Sequence, residues 1–313
     1  MLGKTAGCLY WMFRNLERAE NTARLIEAGF RIALTRSTDP ASDWRSVIVT
    51  SAQQAAYEAK CQTYQSTQVT EFLLRDPSNP SSVMSLIKNA RDNARLTRTA
   101  ITSEVWGAVN ETWMRLCDQL SAPVPDTELP KVLASIRRQS ALVRGALHGT
   151  MLRNDVYDFC RLGTFLERAD NTARIVDVKY HALLPSPSFV GSKMDNVQWE
   201  TLLRSVSGHR AFRWGSDGEY NAANIANFLI LDRLMPRSLG YCADNLVDNL
   251  TYICDQYGQE TESLERAHAI DSRLRGRDIH EIFDEGLHEF LSTTLIHLGE
   301  LGLQIEKDYR FFQ

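Results

Sequence analysis

A nine-residue segment occurs twice in this chain, and the repetition restricts the possible folds more than any other feature. Residues 16–24 read LERAENTAR and residues 166–174 read LERADNTAR, so eight of nine positions are identical at an offset of 150. A second pair follows in the same order, at an offset of 156: residues 72–83 read FLLRDPSNPSSV and residues 228–239 read FLILDRLMPRSL. Two motifs in one order and with nearly one offset predict a tandem duplication.

The positions of the prolines indicate helices. Long stretches have no proline, among them residues 131–184 and 237–313. Proline is excluded from helix interiors, and apolar residues in these stretches recur at steps of three and four, as on one face of a helix. We therefore expect an all-α fold of two tandem pseudo-repeated helical bundles packed into one unit, the first over residues 1–150 and the second over 151–313. Loops are expected near residues 36–45, 121–131, 184–196 and 213–220.

Composition restricts the partners. The formal net charge is −4, from 35 basic and 39 acidic residues. This balance argues against a nucleic-acid partner, because phosphate binding relies on a positively charged face. Of the basic residues 28 are arginine and 7 are lysine. Since the planar guanidinium matches a carboxylate with two hydrogen bonds, the excess of arginine predicts Arg–carboxylate networks.

Several common classes of protein find no support in the sequence. The six cysteines form no CxxC pair, so we expect free thiols and neither a zinc ribbon nor a redox motif. There is no run of 18 apolar residues, and Arg14 and Glu17 come too early for a signal peptide, so we expect a cytoplasmic protein without a membrane span. Glycine-rich nucleotide motifs are missing as well, and we expect no bound cofactor.

The repeated segment predicts a helix with two distinct stripes. At about 100° per residue its charged and amide side chains share one narrow arc, and its leucine and alanines share another. Alanine at stacked positions lets a neighbouring helix approach closely, so we expect an interior helix with a partly buried polar stripe. The candidate ligand-binding residues are this stripe and the arginines beside it: Arg14, Glu17, Arg18, Asn21, Arg24, Glu167, Arg168, Asn171 and Arg174.

Two interpretations of the stripe compete. In the first, Glu17 and Glu167 pair with arginines of neighbouring helices and fix the register, and removing one partner costs roughly 3–5 kcal/mol. In the second, arginines between helices hold the carboxylate or phosphate of a ligand. The copies also differ, because Thr164 stands where the first copy has Arg14. The first copy is therefore expected to face the ligand and the second to serve structure.

Other polar residues have simpler predicted roles. Ser82 and Ser238 stand before predicted helices and are expected to be N-caps, and Asp76 and Asp232 are expected to brace the preceding turns.

Two Glu-x-x-His pairs, Glu265–His268 and Glu285–His288, have a spacing found in di-iron bundles, where both side chains share one helix face. They have no counterpart in the first half, and we expect no metal site.

Further motifs accompany the repeated segment: Leu9-Tyr10-Trp11, Asn89-Ala90-Arg91, Asn93-Ala94-Arg95 and Glu104-Val105-Trp106. Together with both LER segments and both Phe-Leu–Asp–Pro–Ser segments, this set resembles the bacterial alpha-E family, an all-helical domain named for its Glu-Arg motif. The resemblance covers essentially the whole chain. The family signature is matched by Glu17, Arg18, Glu167 and Arg168. Thr164 stands where the first copy has Arg14, so the two copies need not be equally competent.

The resemblance implies a functional context. Such proteins are typically encoded beside circularly permuted ATP-grasp ligases and transglutaminase-like proteins, which become the expected partners. The leading hypothesis is a non-catalytic helical partner, or substrate-binding component, of a peptide or amide ligase system in which the partner handles ATP. One alternative is an enzyme that acts on a small carboxylated or peptide substrate through a Glu/Arg pocket. A second alternative is a purely structural scaffold.

Overall fold

The computed structural model describes residues 1–35, 40–182, 193–215 and 220–312, and within these ranges every regular element is a helix. The expected all-α class is confirmed. No helix in these ranges combines the length and apolarity that a membrane crossing requires. The first seven helices are α1 (Gly3–Thr35), α2 (Pro40–Thr50), α3 (Gln54–Glu58), α4 (Ser66–Leu74), α5 (Val83–Leu96), α6 (Ser103–Gln119) and α7 (Leu129–Thr150). The others are α8 (Asp155–Ala182), α9 (Lys193–Ser205), α10 (His209–Gly215), α11 (Ala222–Ile230), α12 (Leu239–Tyr257), α13 (Glu262–Ser272), α14 (Ile279–Glu285) and α15 (Leu287–Asp308).

Helices extend into all four regions that were expected to be loops. The reason is clearest at α2 and α7, whose first turns contain Pro40 and Pro130. Proline is tolerated there because its missing N–H would have no partner in the helix. A proline therefore marked a helix start where the sequence analysis expected a loop. Likewise α9 starts at Lys193 and α10 continues to Gly215, while residues 36–39, 183–192 and 216–219 lie outside the described residues.

Helices α1 and α8 form the centre of the fold. They are the longest, with 33 and 28 residues, and they pack most extensively on each other. Around them, α1 also packs on α5 and α7, and α8 packs on α12 and α15. The small stripe of each repeated segment is buried, with Ala19, Ala23, Ala169 and Ala173 at most 2% exposed. The expectation of interior helices is thus confirmed.

The two central helices touch through their backbones at Gly163. A Cβ atom at this position would lie 2.1 Å from the carbonyl oxygen of Tyr10, which is shorter than any real contact. Only glycine allows this approach, and the approach brings the polar stripes of α1 and α8 within reach of each other.

The predicted caps are also present. The Ser82 hydroxyl accepts a hydrogen bond from the backbone N–H of Ser85 at 3.3 Å, and Ser238 accepts one from Tyr241 at 3.0 Å. Each cap satisfies an N–H that has no partner in the first turn of its helix. The carboxylates of Asp76 and Asp232 accept backbone N–H groups two residues further on, at 2.9 and 2.7 Å. Both capping predictions and both turn predictions are confirmed.

A first prediction concerns the close approach at Gly163. Gly163→Ala should destabilise the protein by roughly 1–3 kcal/mol, because the added methyl group must force two packed backbones apart. The matched control is Gly145→Ala in α7, where a Cβ meets nothing within 4 Å. That change should stabilise the helix by roughly 0.5–1 kcal/mol. Denaturant unfolding of both variants measures the difference, and equal effects would refute the backbone contact.

Candidate functional site

The two Glu-Arg pairs exchange partners between α1 and α8. Arg168 of α8 donates from Nε and Nη2 to the two carboxylate oxygens of Glu17, both at 3.0 Å. Arg18 of α1 donates in the same way to Glu167, at 2.5 and 2.7 Å. Both contacts are bidentate, which is the strongest arrangement of an arginine and a carboxylate. The arginine of each pair thus holds the glutamate of the other helix.

Two further arginines enclose Glu17. Arg237 donates to Glu17 at 2.8 Å and to Glu20 at 2.8 Å, and Arg144 contacts the same two carboxylates. Glu17 is 1% exposed and Glu20 is 0% exposed. We call this set the buried ER cluster; its members are Glu17, Glu20, Arg144, Arg168 and Arg237.

Opposite charges inside the buried ER cluster offset the free-energy cost of burying each charged group. Burial alone would raise the pKa of Glu17, but attraction by Arg168, Arg237 and Arg144 outweighs it and holds the pKa well below its usual range. Arg237 shows the opposing cost, because burial and the nearby Arg168 lower its pKa to about 10 in spite of Glu17. Each charge is therefore kept inside the protein by its partners, and the loss of one partner leaves the others uncompensated.

Glu167 has a different environment. Besides Arg18, it accepts a hydrogen bond from Arg14 Nε at 3.0 Å, and Arg14 Nη1 donates to the Tyr10 hydroxyl at 2.9 Å. Glu167 also lines a cavity of about 290 Å³, to which both α1 and α8 contribute residues. We call it the ER cavity; its polar lining includes Arg14, Arg18, Asn21, Thr50, Ser51, Ser81, Glu167, Asp170, Asn171 and Arg174.

Donors at the ER cavity remain unused. Arg14, Arg18 and Arg174 each keep one terminal guanidinium nitrogen with no hydrogen bond among the described residues. Asn21, 2% exposed, accepts from Arg237 at 3.0 Å, while its buried amide nitrogen has no partner in the described part of the chain. The three arginines are partly exposed, so their unused guanidinium N–H groups are the donors that an acceptor in the cavity could meet.

Six of the nine predicted site residues line the ER cavity: Arg14, Arg18, Asn21, Glu167, Asn171 and Arg174. Glu17 and Arg168 belong to the buried ER cluster instead. Arg24 lies at a separate cavity, where it contacts Ser207.

The first copy was expected to face the ligand, and its Arg14, Arg18 and Asn21 do line the ER cavity, but the glutamate that lines it is Glu167 of the second copy. Arg144 and Arg237 cover Glu17, whereas the positions near Glu167 hold small residues. Ser81 lines the cavity and aligns with Arg237 in the sequence repeat. A Cβ at Gly302 would lie 3.3 Å from Arg14 Nη1, so a larger side chain there would crowd the arginine.

Sequence reasoning missed Glu20, Asp170, Arg144 and Arg237. Arg237 carried a detectable signal, because it stands directly before the capping Ser238 in the second repeated motif and replaces a serine of the first. Asp170 holds Arg174 with two hydrogen bonds, at 2.8 and 3.1 Å. Arg144 comes from α7, which carries no copy of the repeat, so its approach to Glu17 depends on tertiary packing alone.

The second Glu-x-x-His pair, Glu285–His288, does not lie on one helix. Glu285 ends α14 and His288 lies in α15, separated by Gly286 at φ 103°, so the assumption of one shared helix face is wrong for this pair. His288 Nδ1 instead lies 2.6 Å from Asp177. Among the residues that the structure describes, no three His, Cys, Asp or Glu side chains are grouped to hold a metal ion.

A family model described as a predicted alpha-helical domain with a conserved ER motif matches residues 1–310. The chain belongs to the Alpha-E family. No curated protein and no solved structure matches it. In this Alpha-E chain both Glu-Arg pairs act across helices: each glutamate accepts from the arginine of the other pair.

A second prediction separates the two glutamates. Glu17→Gln should lower the free energy of unfolding by roughly 3–5 kcal/mol, because it leaves the buried Arg168 and Arg237 and the partly buried Arg144 short of one negative charge. Glu167→Gln should cost less, because the cavity lets water reach Arg14 and Arg18. Glu111→Gln, at an exposed ion pair on α6, is the control and should change stability by less than about 1 kcal/mol. Denaturant unfolding measures all three, and a larger loss for Glu167→Gln than for Glu17→Gln would contradict the assignment.

Proposed function

We propose that this Alpha-E protein is a substrate-binding, non-catalytic helical partner of an ATP-grasp-type peptide or amide ligase, and that the ER cavity holds a carboxylate of the substrate. One observation carries the proposal: Arg14, Arg18 and Arg174, each with a terminal guanidinium nitrogen that makes no hydrogen bond to the described residues, line the same cavity of about 290 Å³. Amide and guanidinium N–H groups are donors only. Their natural ligand is an acceptor with negative charge.

The charge at the cavity supports an anion. Arg14, Arg18 and Arg174 face two carboxylates, those of Glu167 and Asp170. The positive surplus is one charge, which suits a single carboxylate of a small substrate. Because both central helices contribute to the cavity, a bound ligand would also bridge α1 and α8.

Binding explains the cavity better than catalysis by the chain itself. Burial raises the pKa of Glu167, but Arg18 and Arg14 lower it more, so the net shift is downward. Such a carboxylate stays ionised at neutral pH and is a weak general base, whereas a catalytic acid or base works best with a pKa near the working pH. An enzyme acting through the Glu/Arg pocket remains the alternative that turnover would reveal.

The partner follows from the family resemblance. The sequence has no glycine-rich loop of the kind that holds nucleotide phosphates, so ATP would be bound by a circularly permuted ATP-grasp ligase. A transglutaminase-like protein is a further partner in the same setting. Both partners imply a cytoplasmic location for the assembly.

We also infer that residues 1–150 and 151–313 arose by duplication. Supporting this, Ser82 and Ser238 cap α5 and α12 in the same way. The residues after α2 and α9, Ala52 and Ser207, share a left-handed backbone, with φ of 56° and 58°. After duplication both glutamates stayed buried, at 1% and 4% exposure, but Glu167 alone of the two lines the ER cavity, which is the basis for assigning structure to one copy and binding to the other.

A purely structural scaffold is the second alternative, and the buried ER cluster favours it, because Glu17 and Glu20 are already paired with arginines. The ER cavity distinguishes the two views, since a scaffold gains nothing from unsatisfied donors beside an open space.

The test combines binding with reconstitution. Calorimetric titration with L-glutamate should show saturable binding, and L-glutaminamide, which has no carboxylate, should not bind. Arg174→Gln should weaken binding about tenfold or more through loss of a charged donor. The matched control is Arg266→Gln, which removes an arginine with the same i,i+4 pairing far along the chain and should leave binding unchanged.

The ligase arm tests the partnership. Co-expressed with its ATP-grasp partner, the wild type should co-purify and support ATP turnover with carboxylated amino acids or peptides, while the chain alone should not hydrolyse ATP. Turnover by the chain alone, lost in Glu167→Gln, would favour an enzyme. No binding of any carboxylate together with unchanged ligase activity in Arg174→Gln would favour the scaffold.

A further inference from the structure

A second cavity, of about 330 Å³, has a strongly cationic lining contributed by α1, α7, α9 and α10. We call it the basic cleft; its arginines are Arg24, Arg31, Arg137, Arg204 and Arg210. His209 lines it too, and Glu27 is the one carboxylate among its described lining residues. None of these side chains lines the ER cavity, so the two cavities do not share a lining.

One arginine of the basic cleft is fixed in advance. Glu20 holds Arg24 through Nε and Nη2 at 3.0 and 2.6 Å, and Arg24 Nη1 lies 2.5 Å from the Ser207 hydroxyl. Ser207 has a left-handed backbone, with φ of 58°, which costs a non-glycine residue about 1–2 kcal/mol. A hydrogen bond from Gly208 N–H to the Leu203 carbonyl, at 2.7 Å, closes this turn. The turn therefore places a hydroxyl beside the guanidinium.

Among the described lining residues of the basic cleft, the arginines outnumber the carboxylates. Glu27 is shared by Arg31 and Arg137. Glu200 is shared by Arg204 and His209, at 2.6 and 3.0 Å.

Arg210 has no ion pair or hydrogen bond among the described residues and is exposed. The exposed guanidinium of Arg210 adds like charge at the edge of a cationic cavity and has donors that a bound anion could use.

We propose that the basic cleft binds a small anion with two or more phosphoryl or carboxylate groups. Arginine forks match the planar edge of a carboxylate and two oxygens of a phosphate. The cavity volume lies at the lower end of the range for small-ligand sites, which suits a compact multiply charged anion. Arg24, whose three guanidinium nitrogens already donate to Glu20, Ser205 and Ser207, supplies a fixed charge from α1. Arg137 supplies charge from α7, and Arg210 supplies unused donors from α10.

The experiment uses pyrophosphate and citrate as probes, one phosphoryl and one carboxylate anion, in calorimetric titrations of the full chain at constant ionic strength set with chloride. Arg210→Gln is the test variant, because no described intramolecular contact is lost with it. Arg213→Gln is its matched control: the residue lies on the same helix, is exposed and does not line the cleft. Arg174→Gln reports on the ER cavity.

The wild type should bind at least one probe saturably with one site per chain, and the tighter probe identifies the phosphoryl or carboxylate class. Arg210→Gln should weaken this binding about tenfold, while Arg213→Gln and Arg174→Gln should stay within about twofold of the wild type. Equal weakening by Arg210→Gln and Arg213→Gln would overturn the proposal, because it indicates nonspecific attraction. Weakening by Arg174→Gln alone would assign the anion to the ER cavity and would overturn the proposal. Failure of both probes to bind saturably would also overturn the proposal.

Discussion

The structure depends on two reciprocal ion pairs between α1 and α8. Arg168 binds Glu17 and Arg18 binds Glu167, each through two hydrogen bonds. Carboxylates and guanidinium groups at this depth are expensive unless they meet in good geometry. The geometry exists because the two helices approach backbone to backbone at Gly163. The close crossing thus allows the ion pairs to form, and the ion pairs in turn fix the register between α1 and α8.

The two glutamates then diverge through their neighbours. Arginines from α7 and from the turn before α12 contact Glu17, which does not line the ER cavity. The surroundings of Glu167 hold Ser81 and Gly302 instead, and a cavity with unused donors remains. One motif therefore has two environments, and at one aligned position Ser81 stands where the second repeated motif has Arg237.

Much of this could be predicted from the sequence. The repeat, the proline map and the apolar periodicity predicted interior helices at the two LER segments, and the serine caps followed from their place before a helix. The choice between the two glutamates could not be predicted, because it depends on Arg144 and Arg237. These residues reach Glu17 across sequence separations of 127 and 220 residues. Thr164 in place of Arg14 suggested that the first copy faces the ligand, but Arg14 contacts the glutamate of the other copy, and residues of both copies line the cavity.

The most direct measurement of the central claim is a double-mutant cycle on Glu17 and Arg168, with Glu17→Gln, Arg168→Met and the double variant compared in denaturant unfolding. If the ion pairs hold α1 and α8 together, the double variant should be markedly more stable than the sum of the single losses implies, with a coupling of about 1–3 kcal/mol. The parallel cycle on Glu167 and Arg18 should give a smaller coupling, because Arg18 is 32% exposed against 9% for Arg168. Additive losses at Glu17 and Arg168, within about 0.5 kcal/mol, would contradict the account.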